Sequence, residues 1–285
     1  MSAKPPTIVR TIAALRAQVA AWRHAGERVA LIPTMGALHA GHLSLVALGR
    51  HRAERTLASL FVNPTQFAPH EDFEAYPREE AKDVQRLAEA KCDLLFAPSV
   101  EEMYAPGFST TVSVAGVSAP LDGQARPHHF AGVATIVTKL LIQCGPDIAI
   151  FGEKDYQQLQ VIRRLVKDLD LPVEVLGAPT VRAEDGLALS SRNAYLSAAE
   201  RVVAGKLNLV LSAAVEQLRA GRPVEAVEAE GLAALAEAGF ASVDYLEVRD
   251  PDDLTRLGPG PLTGPGRILA AARIGRTRLI DNMAV

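Results

Sequence analysis

The sequence has few of the features that assign a chain to a special class of protein. It contains 2 cysteines among 285 residues, so neither a disulfide framework nor a cysteine-built metal site is expected. No run of about 18 apolar residues is present, which argues against a membrane-spanning helix. The N-terminal stretch MSAKPPTIVR lacks the apolar segment of a signal peptide. We therefore expect a cytoplasmic protein with reduced thiols.

The charge of the chain is also close to balanced. It carries 30 Lys and Arg residues against 33 Asp and Glu residues, a formal net charge of −3. Proteins that grip nucleic acid through its phosphates usually present an excess of basic residues. We expect neither a nucleic-acid nor a membrane partner, and any phosphate chemistry must depend on a few placed cations.

Hydrophobic residues are plentiful, at 48%, and they form short apolar runs that alternate with helical patterns. Buried strands are predicted at 28–33, 56–62, 92–98 and 147–152. Helices are predicted at 42–54, 79–91, 130–143 and 155–169. This alternation predicts an α/β fold, a parallel sheet with helices on both faces. The stretch TTVSVAGV at 110–117 is a further strand-like insert.

The pattern changes near residue 180. The stretch PTVRAEDGLALSSRN indicates a hairpin whose turn is Asp185-Gly186. Two alanine-rich helices follow at about 197–219 and 224–238, and then two strands at 243–250 and 267–274, separated by a Gly- and Pro-rich loop. We therefore predict a first domain at 1–180 and a smaller α+β domain at 181–285.

The stretch PTMGALHAGHLSLV places His39 and His42 where a predicted strand ends and a helix begins. Strand ends that lead into helix N-termini are the usual ligand crevice of open α/β sheets, and helix N-termini attract phosphates. Gly36 and Gly41 have the spacing of a P-loop, but the Lys and Ser/Thr that should follow are absent, which disfavours a Walker-type ATPase. A pair of ordinary histidines and half of a zinc site remain alternatives.

Two further polar clusters lie at comparable places. FGEKDYQQLQ follows the strand that ends near residue 152, and its Lys154 is suited to phosphate oxygens. LALSSRNAYL lies between the two predicted domains and gathers two hydroxyls and a guanidinium, which together suit a phosphate clamp. Each cluster also has a plain explanation as helix capping or a solvated loop. Three such clusters at strand ends and domain junctions favour phosphate binding.

Six motifs in order resemble the pantothenate synthetase family, the pantoate–β-alanine ligases. They are PTMGALHAGHLSLV, FVNPTQF, YPR, FGEKDYQQL, LALSSRN and the terminal RLIDN. HAGH is similar to the H-x-G-H signature of a nucleotidyltransferase superfamily. The resemblance implies a Rossmann-like ATP- and pantoate-binding domain with a smaller lid domain. It also implies an ATP- and Mg²⁺-dependent ligation of pantoate to β-alanine through a pantoyl adenylate, in a homodimer.

The resemblance also implies a role for each residue that matches a motif. Those implied to be catalytic, through the ATP phosphates, are His39, His42, Lys154, Ser190, Ser191 and Arg192. Those implied in the rest of the ATP site are Met35, Gly41, Gly152, Asp155 and Val181, with Gly41 making room for the nucleotide. Pantoate is implied to meet Gln66, Gln158 and Asn63, and magnesium to lie near Asp83.

The sequence departs from the family pattern at two positions, and other functions compete with this assignment. The chain has RPHHF where the family commonly has RPGHF, so that His128 replaces a glycine and could make local binding sensitive to pH. Lys82 stands beside Asp83 where some members have an acid. A nucleotidyltransferase that stops after transfer of AMP, and a non-catalytic nucleotide sensor, are the alternatives. A synthetase acting on tRNA is disfavoured by the charge.

Overall fold

A computed structural model of the chain describes residues 4–68, 71 and 73–285, and two sheets organise it. The strands of the larger sheet are β1 (Thr7–Val9), β2 (Val29–Thr34), β3 (Arg55–Leu60), β4 (Leu94–Phe96), β5 (Ile148–Gly152) and β6 (Glu174–Ala178). Their order across the sheet is β1-β4-β3-β2-β5-β6, and every neighbouring pair is parallel.

Helices cover both faces of this sheet. They are α1 (Ile12–His24), α2 (Ala40–Arg52), α3 (Glu80–Glu89), α4 (Val100–Met103), α5 (Asp122–Ala125), α6 (His129–Cys144) and α7 (Tyr156–Asp168). Within β2, Leu31 packs into the core formed with α1, α6 and α7, while Ile32 packs into the core formed with α2 and α3. This alternation is the two-residue period of a strand buried on both sides. The predicted α/β class is confirmed.

The smaller sheet is formed by the C-terminal part of the chain, where two helices pack against it. It contains β7 (Ser242–Arg249), β8 (Arg267–Ile274) and β9 (Thr277–Ala284), paired antiparallel in that order. Helices α8 (Ala198–Arg219) and α9 (Val224–Ala238) pack on it through a separate hydrophobic core. The smaller α+β part is confirmed, whereas the domain division at residue 180 stays a prediction.

Several local predictions differ from the structure. TTVSVAGV forms no strand within the described ranges; the backbone N–H of Val112 instead donates to the Thr135 hydroxyl on α6 at 2.9 Å. In the hairpin that joins the two parts, the amide of Gly186 donates to the Ala183 carbonyl, so the turn is centred on 184–185, one residue earlier than predicted. Gly186 follows it at φ +87°, a conformation that favours glycine.

The strand order reverses between β2 and β5. The chain leaves β2 toward β3 on one side and leaves β5 toward β6 on the other, so the loops after these two strands diverge and leave a crevice. The loop after β2 contains HAGH, and the loop after β5 contains EKD. The fold therefore places two of the predicted phosphate clusters side by side. Within the described part of the chain, no helix has both the length and the hydrophobicity to cross a bilayer.

Candidate active site

A cavity of about 610 Å³ lies at the carboxyl ends of β2 and β5 and is bordered on its other side by the β8–β9 hairpin. Fourteen of the fifteen residues predicted from sequence line it, although they come from five separate segments. They are Met35, His39, Gly41, His42, Asn63, Gln66, Gly152, Lys154, Asp155, Gln158, Val181, Ser190, Ser191 and Arg192. Asp83 is the predicted site residue that does not line it. The fold thus brings the proposed nucleotide and pantoate residues into one cavity.

The two histidines of HAGH are held by the backbone of their own turn. His39 is the N-cap of α2, and its Nδ1 accepts from the backbone N–H of Gly41 at 3.2 Å. The Nδ1 of His42 accepts from the backbone N–H of His39, also at 3.2 Å. A neutral imidazole accepts at one nitrogen and donates at the other. Both rings therefore carry their proton on Nε2, which leaves Nε2–H as the donor available to a ligand.

The surroundings of the two rings keep them neutral. Burial and then the nearby Lys154 ammonium lower the pKa of His39 to about 4. Burial and then the neighbouring His39 lower the pKa of His42 to about 3. Taking an ionisable group out of water disfavours its charged form. At neutral pH both side chains are hydrogen-bond donors without charge.

Gly41 makes room for the His39 ring. A Cβ at this position would lie 2.9 Å from Cε1 and 3.0 Å from Nδ1 of His39, closer than such atoms normally approach. Any side chain would therefore displace the ring and weaken the hydrogen bond that fixes its tautomer. Gly41 also lines the cavity. Its contact with the nucleotide stays a prediction.

Asp83 reaches the same turn from α3 and holds its backbone. Its Oδ2 and Oδ1 accept from the N–H groups of Ala37 and Leu38 at 2.9 and 2.8 Å, and it is 1% exposed. Ala37 has φ +51°, an unfavourable conformation for a residue with a side chain, so the turn needs support. Because both carboxylate oxygens are occupied by these amides, the geometry favours a structural role over the predicted magnesium contact.

The described residues do not form a metal site of their own. In ranges 4–68, 71 and 73–285, no group of three or more His, Cys, Asp or Glu side chains is arranged to hold a metal ion. Magnesium bound with a nucleotide usually keeps several waters and takes most of its other ligands from phosphates. The donor set thus does not fit a resident magnesium, and a magnesium ion here would be bound mainly by the ATP phosphates.

The turn after β5 carries Lys154. Glu153–Asp155 forms one 3₁₀ turn, and the Lys154 ammonium lies 3.7 Å from a carboxylate oxygen of Asp155. The Lys154 side chain is 18% exposed, so its charge is only partly screened by water. This turn therefore directs a cation into the cavity beside the two neutral imidazoles.

Gln66 lies at another part of the cavity and is fixed by its neighbours. The Nδ2 of Asn63 donates to its Oε1 at 3.0 Å, and its Nε2 approaches the sulfur of Met35 at 3.0 Å. Gly132 on α6 permits this packing, because a Cβ there would lie 2.4 Å from the carbonyl oxygen of Thr65. The Gln66 amide therefore has a defined orientation before any substrate binds.

The two adjacent glutamines of α7 have different surroundings. Gln157 is buried: its Nε2 donates to the carbonyls of Val117 and Pro120, and its Oε1 accepts from the backbone N–H of Asp122. Gln158 is half-buried in the cavity wall, and within the part of the chain described its side-chain amide has no hydrogen-bond partner. Gln158 is therefore the glutamine of α7 that is available to a substrate.

Three of the five RPHHF residues line the cavity, among them Arg126 and His129. Arg126 forms two hydrogen bonds with the Glu71 carboxylate, at 2.6 and 2.8 Å. His129 donates from Nδ1 to the Gln66 carbonyl at 3.0 Å, and burial lowers its pKa to about 4. His128 is exposed, lies outside the cavity and has φ −101°, a conformation that does not require glycine. Arg126 and His129 are therefore cavity residues that the predicted site did not include, although RPHHF contains both of them.

The loop from the hairpin to α8 contacts the first part of the chain. Ser190 Oγ accepts from the backbone N–H of Arg192 at 3.3 Å, which begins a short 3₁₀ helix. Ser191 Oγ lies 3.1 Å from the hydroxyl of Tyr76, and the Arg192 guanidinium lies 5.9 Å from the centre of the Tyr76 ring. Tyr76 belongs to the YPR motif, so the YPR and LALSSRN motifs, far apart in the sequence, are in contact in the structure.

Comparisons with known proteins agree with this geometry. Residues 7–284 match the model of the family described as pantoate-beta-alanine ligase. The pantothenate synthetase of Caulobacter vibrioides is 64% identical over 281 residues, covering 98% of this chain and 99% of the relative. That of Paramagnetospirillum magneticum is 60% identical, covering 98% and 97%.

Solved structures of the same kind superpose closely. The crystal structure of pantothenate synthetase from Thermus thermophilus has a TM-score of 0.91 at 47% identity, covering 97% of this chain and 98% of that one. The pantoate-beta-alanine ligase from Francisella tularensis, complexed with beta-gamma ATP and beta-alanine, has a TM-score of 0.82 at 32% identity, covering 98% and 97%. With this extent of similarity, the chain belongs to the pantoate-beta-alanine ligase family.

Proposed function

We propose that this ATP-dependent ligase joins pantoate to β-alanine in two steps, through an enzyme-bound pantoyl adenylate. The observation that carries the proposal is the meeting of two turns at the sheet's switch point. One presents the Nε2–H groups of His39 and His42, the other presents the Lys154 ammonium, and Gln66 and Gln158 line the same cavity. The family assignment and the ATP complex of the Francisella relative support ATP as the second substrate.

In the first step, a carboxylate oxygen of pantoate attacks the α-phosphorus of ATP. A new P–O bond forms, the bond between the α-phosphorus and the bridging oxygen breaks, and pyrophosphate leaves. No protein nucleophile is needed, because the substrate carboxylate is already one. The difficulty is the approach of an anion to an anion, so catalysis depends on alignment and on donors and cations around the phosphates.

The chain supplies these groups from three segments. His39 and His42 donate from Nε2 to phosphate oxygens, and Lys154 balances charge that accumulates on the pyrophosphate. Ser190, Ser191 and Arg192 add hydroxyls and a guanidinium, with Met35, Gly41, Gly152, Asp155 and Val181 around the rest of the nucleotide. Magnesium, bound mainly by the phosphates, would supply further neutralisation of their charge.

In the second step, the amine of β-alanine attacks the carbonyl carbon of the adenylate. The C–N bond forms, the C–O bond to AMP breaks, and the amine loses a proton. Gln66, Gln158 and Asn63 hold and orient the pantoyl group in this proposal. The adenylate must be kept from water, and we assign that task to residues 181–285, which act as a lid over the cavity formed by residues 1–180. We also propose a cytoplasmic homodimer, on the family resemblance.

Pantoate-dependent exchange of labelled pyrophosphate into ATP tests the two-step route. With Mg²⁺ present and β-alanine absent, we expect exchange that requires pantoate. Addition of β-alanine should then yield AMP and pantothenate in equal amounts. A folded protein that binds ATP yet shows no exchange would overturn the two-step reaction. Exchange without an amine-dependent product would indicate an enzyme that stops at the adenylate.

A further inference from the structure

Asn282 holds the turn that carries Lys154, although it lies on the other sheet. Its Nδ2 donates to the carbonyl oxygens of Glu153 and Lys154, both at 2.9 Å. Its Oδ1 accepts from the Nε of Arg267 at 2.7 Å, and the residue is 3% exposed. Both amide hydrogens are thus used within the protein. Asn282 has no donor left for a substrate, even though it borders the cavity.

The turn has little support from its own segment. Neither the 3₁₀ turn at Glu153–Asp155 nor the start of α7 has a side-chain cap. Successive carbonyls of a short turn set the orientation of the peptide units between them, and hence the direction of the intervening side chain. Here the carbonyls of the two peptide units on either side of the Lys154 Cα both accept from the side-chain amide of Asn282 on β9. The C-terminal sheet therefore supplies what a local cap would otherwise supply.

Asn282 is itself fixed on two sides. The Arg267 guanidinium stacks 3.6 Å from the centre of the Tyr156 ring, and its Nη2 lies 3.4 Å from the Glu153 carboxylate. The preceding residue, Asp281, forms two hydrogen bonds with Arg182, at 2.7 and 2.9 Å. A rigid amide imposes its geometry on the turn rather than following it.

We propose that Asn282 is a positioning residue, which acts through the two carbonyls to direct the Lys154 ammonium onto the ATP phosphates. The proposal rests on the phosphate-binding role of Lys154 in the proposed function. It makes the nucleotide site dependent on the placement of β9 against the end of β5. Loss of Asn282 should therefore weaken ATP binding by way of Lys154.

A double-mutant cycle measures this dependence. The variants are Asn282→Ala, Lys154→Ala and the pair, with the dissociation constant of ATP measured by direct binding and the KM values for ATP and pantoate measured by pyrophosphate exchange. We expect Asn282→Ala to weaken ATP binding about tenfold alone and less than about twofold in the Lys154→Ala background, a coupling typical of residues in one network. The KM for pantoate should be unchanged.

Gln160→Ala is the matched control. Gln160 is 4% exposed on α7, and its Nε2 donates to the carbonyl oxygen of Pro251 at 2.8 Å. It is also a buried amide that joins the two parts of the chain through a carbonyl, but it does not contact the turn. Gln160→Ala should lower the free energy of unfolding to a similar extent as Asn282→Ala. In each Lys154 background, its ATP affinity should equal that of the protein that keeps Gln160.

The outcomes separate this proposal from the proposed function. Equal weakening of ATP binding by Asn282→Ala in both Lys154 backgrounds would overturn the positioning role, as would unchanged ATP affinity in a folded variant. If Asn282→Ala does not fold, Asn282→Ser, which keeps one donor, is used in the same cycle with the same criteria. Absence of pantoate-dependent exchange in the unsubstituted protein would overturn the proposed reaction only, because the binding cycle requires no turnover.

Discussion

The two turns at the switch point lie side by side, but they are held in different ways. The turn after β2 is held from within the first part of the chain, because Asp83 on α3 binds the amides of Ala37 and Leu38. The turn after β5 is held from the C-terminal sheet, by Asn282. The groups they present also differ, as one carries neutral imidazoles and the other an ammonium.

This difference explains how elements from both sheets can build the proposed phosphate site. The histidine turn needs only elements that pack on the larger sheet, so it is complete without the second part. The lysine turn has its full geometry only when β9 lies against it. Motion of the C-terminal part would consequently change the position of Lys154 while leaving His39 and His42 in place.

The largest effect on activity is expected from removing a proposed phosphate-binding side chain from either turn. Lys154→Ala and His42→Ala should each reduce pantoate-dependent exchange by about 10²- to 10³-fold, the usual loss for a group that stabilises charge in a transition state. Substitution of the exposed His128 by glycine should leave exchange unchanged. A loss below about fivefold for either variant would contradict a direct role of that turn on the phosphates.

Asp83→Ala tests whether the histidine turn is held as described. The substitution leaves the buried amide of Leu38 and the partly buried amide of Ala37 without an acceptor, so the free energy of unfolding should fall by about 3 kcal/mol, measured by urea denaturation. Asp83→Asn keeps the shape of the side chain but points its NH₂ group at one of the two backbone N–H groups. Its loss of unfolding free energy should be about half to two thirds of that of Asp83→Ala. Unchanged stability with a lost dependence on Mg²⁺ would instead support the magnesium contact predicted from sequence.

The two adjacent glutamines of α7, which follow the lysine turn, are expected to affect different properties when they are replaced. Gln157→Ala removes the partner of three backbone groups, two of them buried, and should cost about 2 to 3 kcal/mol of stability. Gln158→Ala should leave stability unchanged and raise the KM for pantoate about tenfold, as expected for loss of one or two hydrogen bonds to a substrate. The reverse pattern in denaturation and steady-state measurements would exchange the two roles.

A smaller effect is expected on the pH dependence of stability, to which the histidine turn contributes through its two buried rings. The pKa values of His39 and His42, about 4 and about 3, lie below that of a histidine in an unfolded chain. Between pH of about 6.5 and 4 the unfolded chain binds protons that the native rings do not, so stability falls as pH falls. His42→Asn should reduce the slope of stability against pH by nearly one proton, measured by urea denaturation across that range.

The same variant provides its own reference above that range. Above pH of about 7.5, His42 is neutral in both states, so no proton uptake distinguishes the variant from the parent. An identical slope for parent and variant below pH of about 6.5 would mean that His42 is not held neutral by its surroundings.

The sequence predicted the α/β class, and its strand-end motifs together with the family resemblance named fourteen of the residues that line the cavity. Parallel strands have their carboxyl ends at one edge, so motifs that follow predicted strands must converge there. The supports of the turns could not be predicted in this way. Asp83 reaches Ala37 from a different helix, and Asn282 reaches Lys154 from a strand more than a hundred residues later. Such contacts leave no periodic pattern in the sequence.

Local patterns also misassigned particular elements. TTVSVAGV has the β-branched composition of a strand but is bound through a threonine hydroxyl of α6 instead. The RLIDN motif was recognised without its secondary structure, and it lies on β9 at the edge of the smaller sheet. Composition indicates what a segment favours, whereas tertiary packing decides which partner it has.

Transfer of ¹⁸O from pantoate to AMP is the most direct test of the central claim, that the pantoate carboxylate attacks the α-phosphorus of ATP. Pantoate labelled in its carboxylate oxygens is incubated with ATP, Mg²⁺ and β-alanine, and the products are analysed by mass spectrometry. The account predicts one ¹⁸O atom in each AMP, because the attacking oxygen stays with the phosphorus when the amide forms. Label in inorganic phosphate or pyrophosphate, or none in AMP, would contradict it.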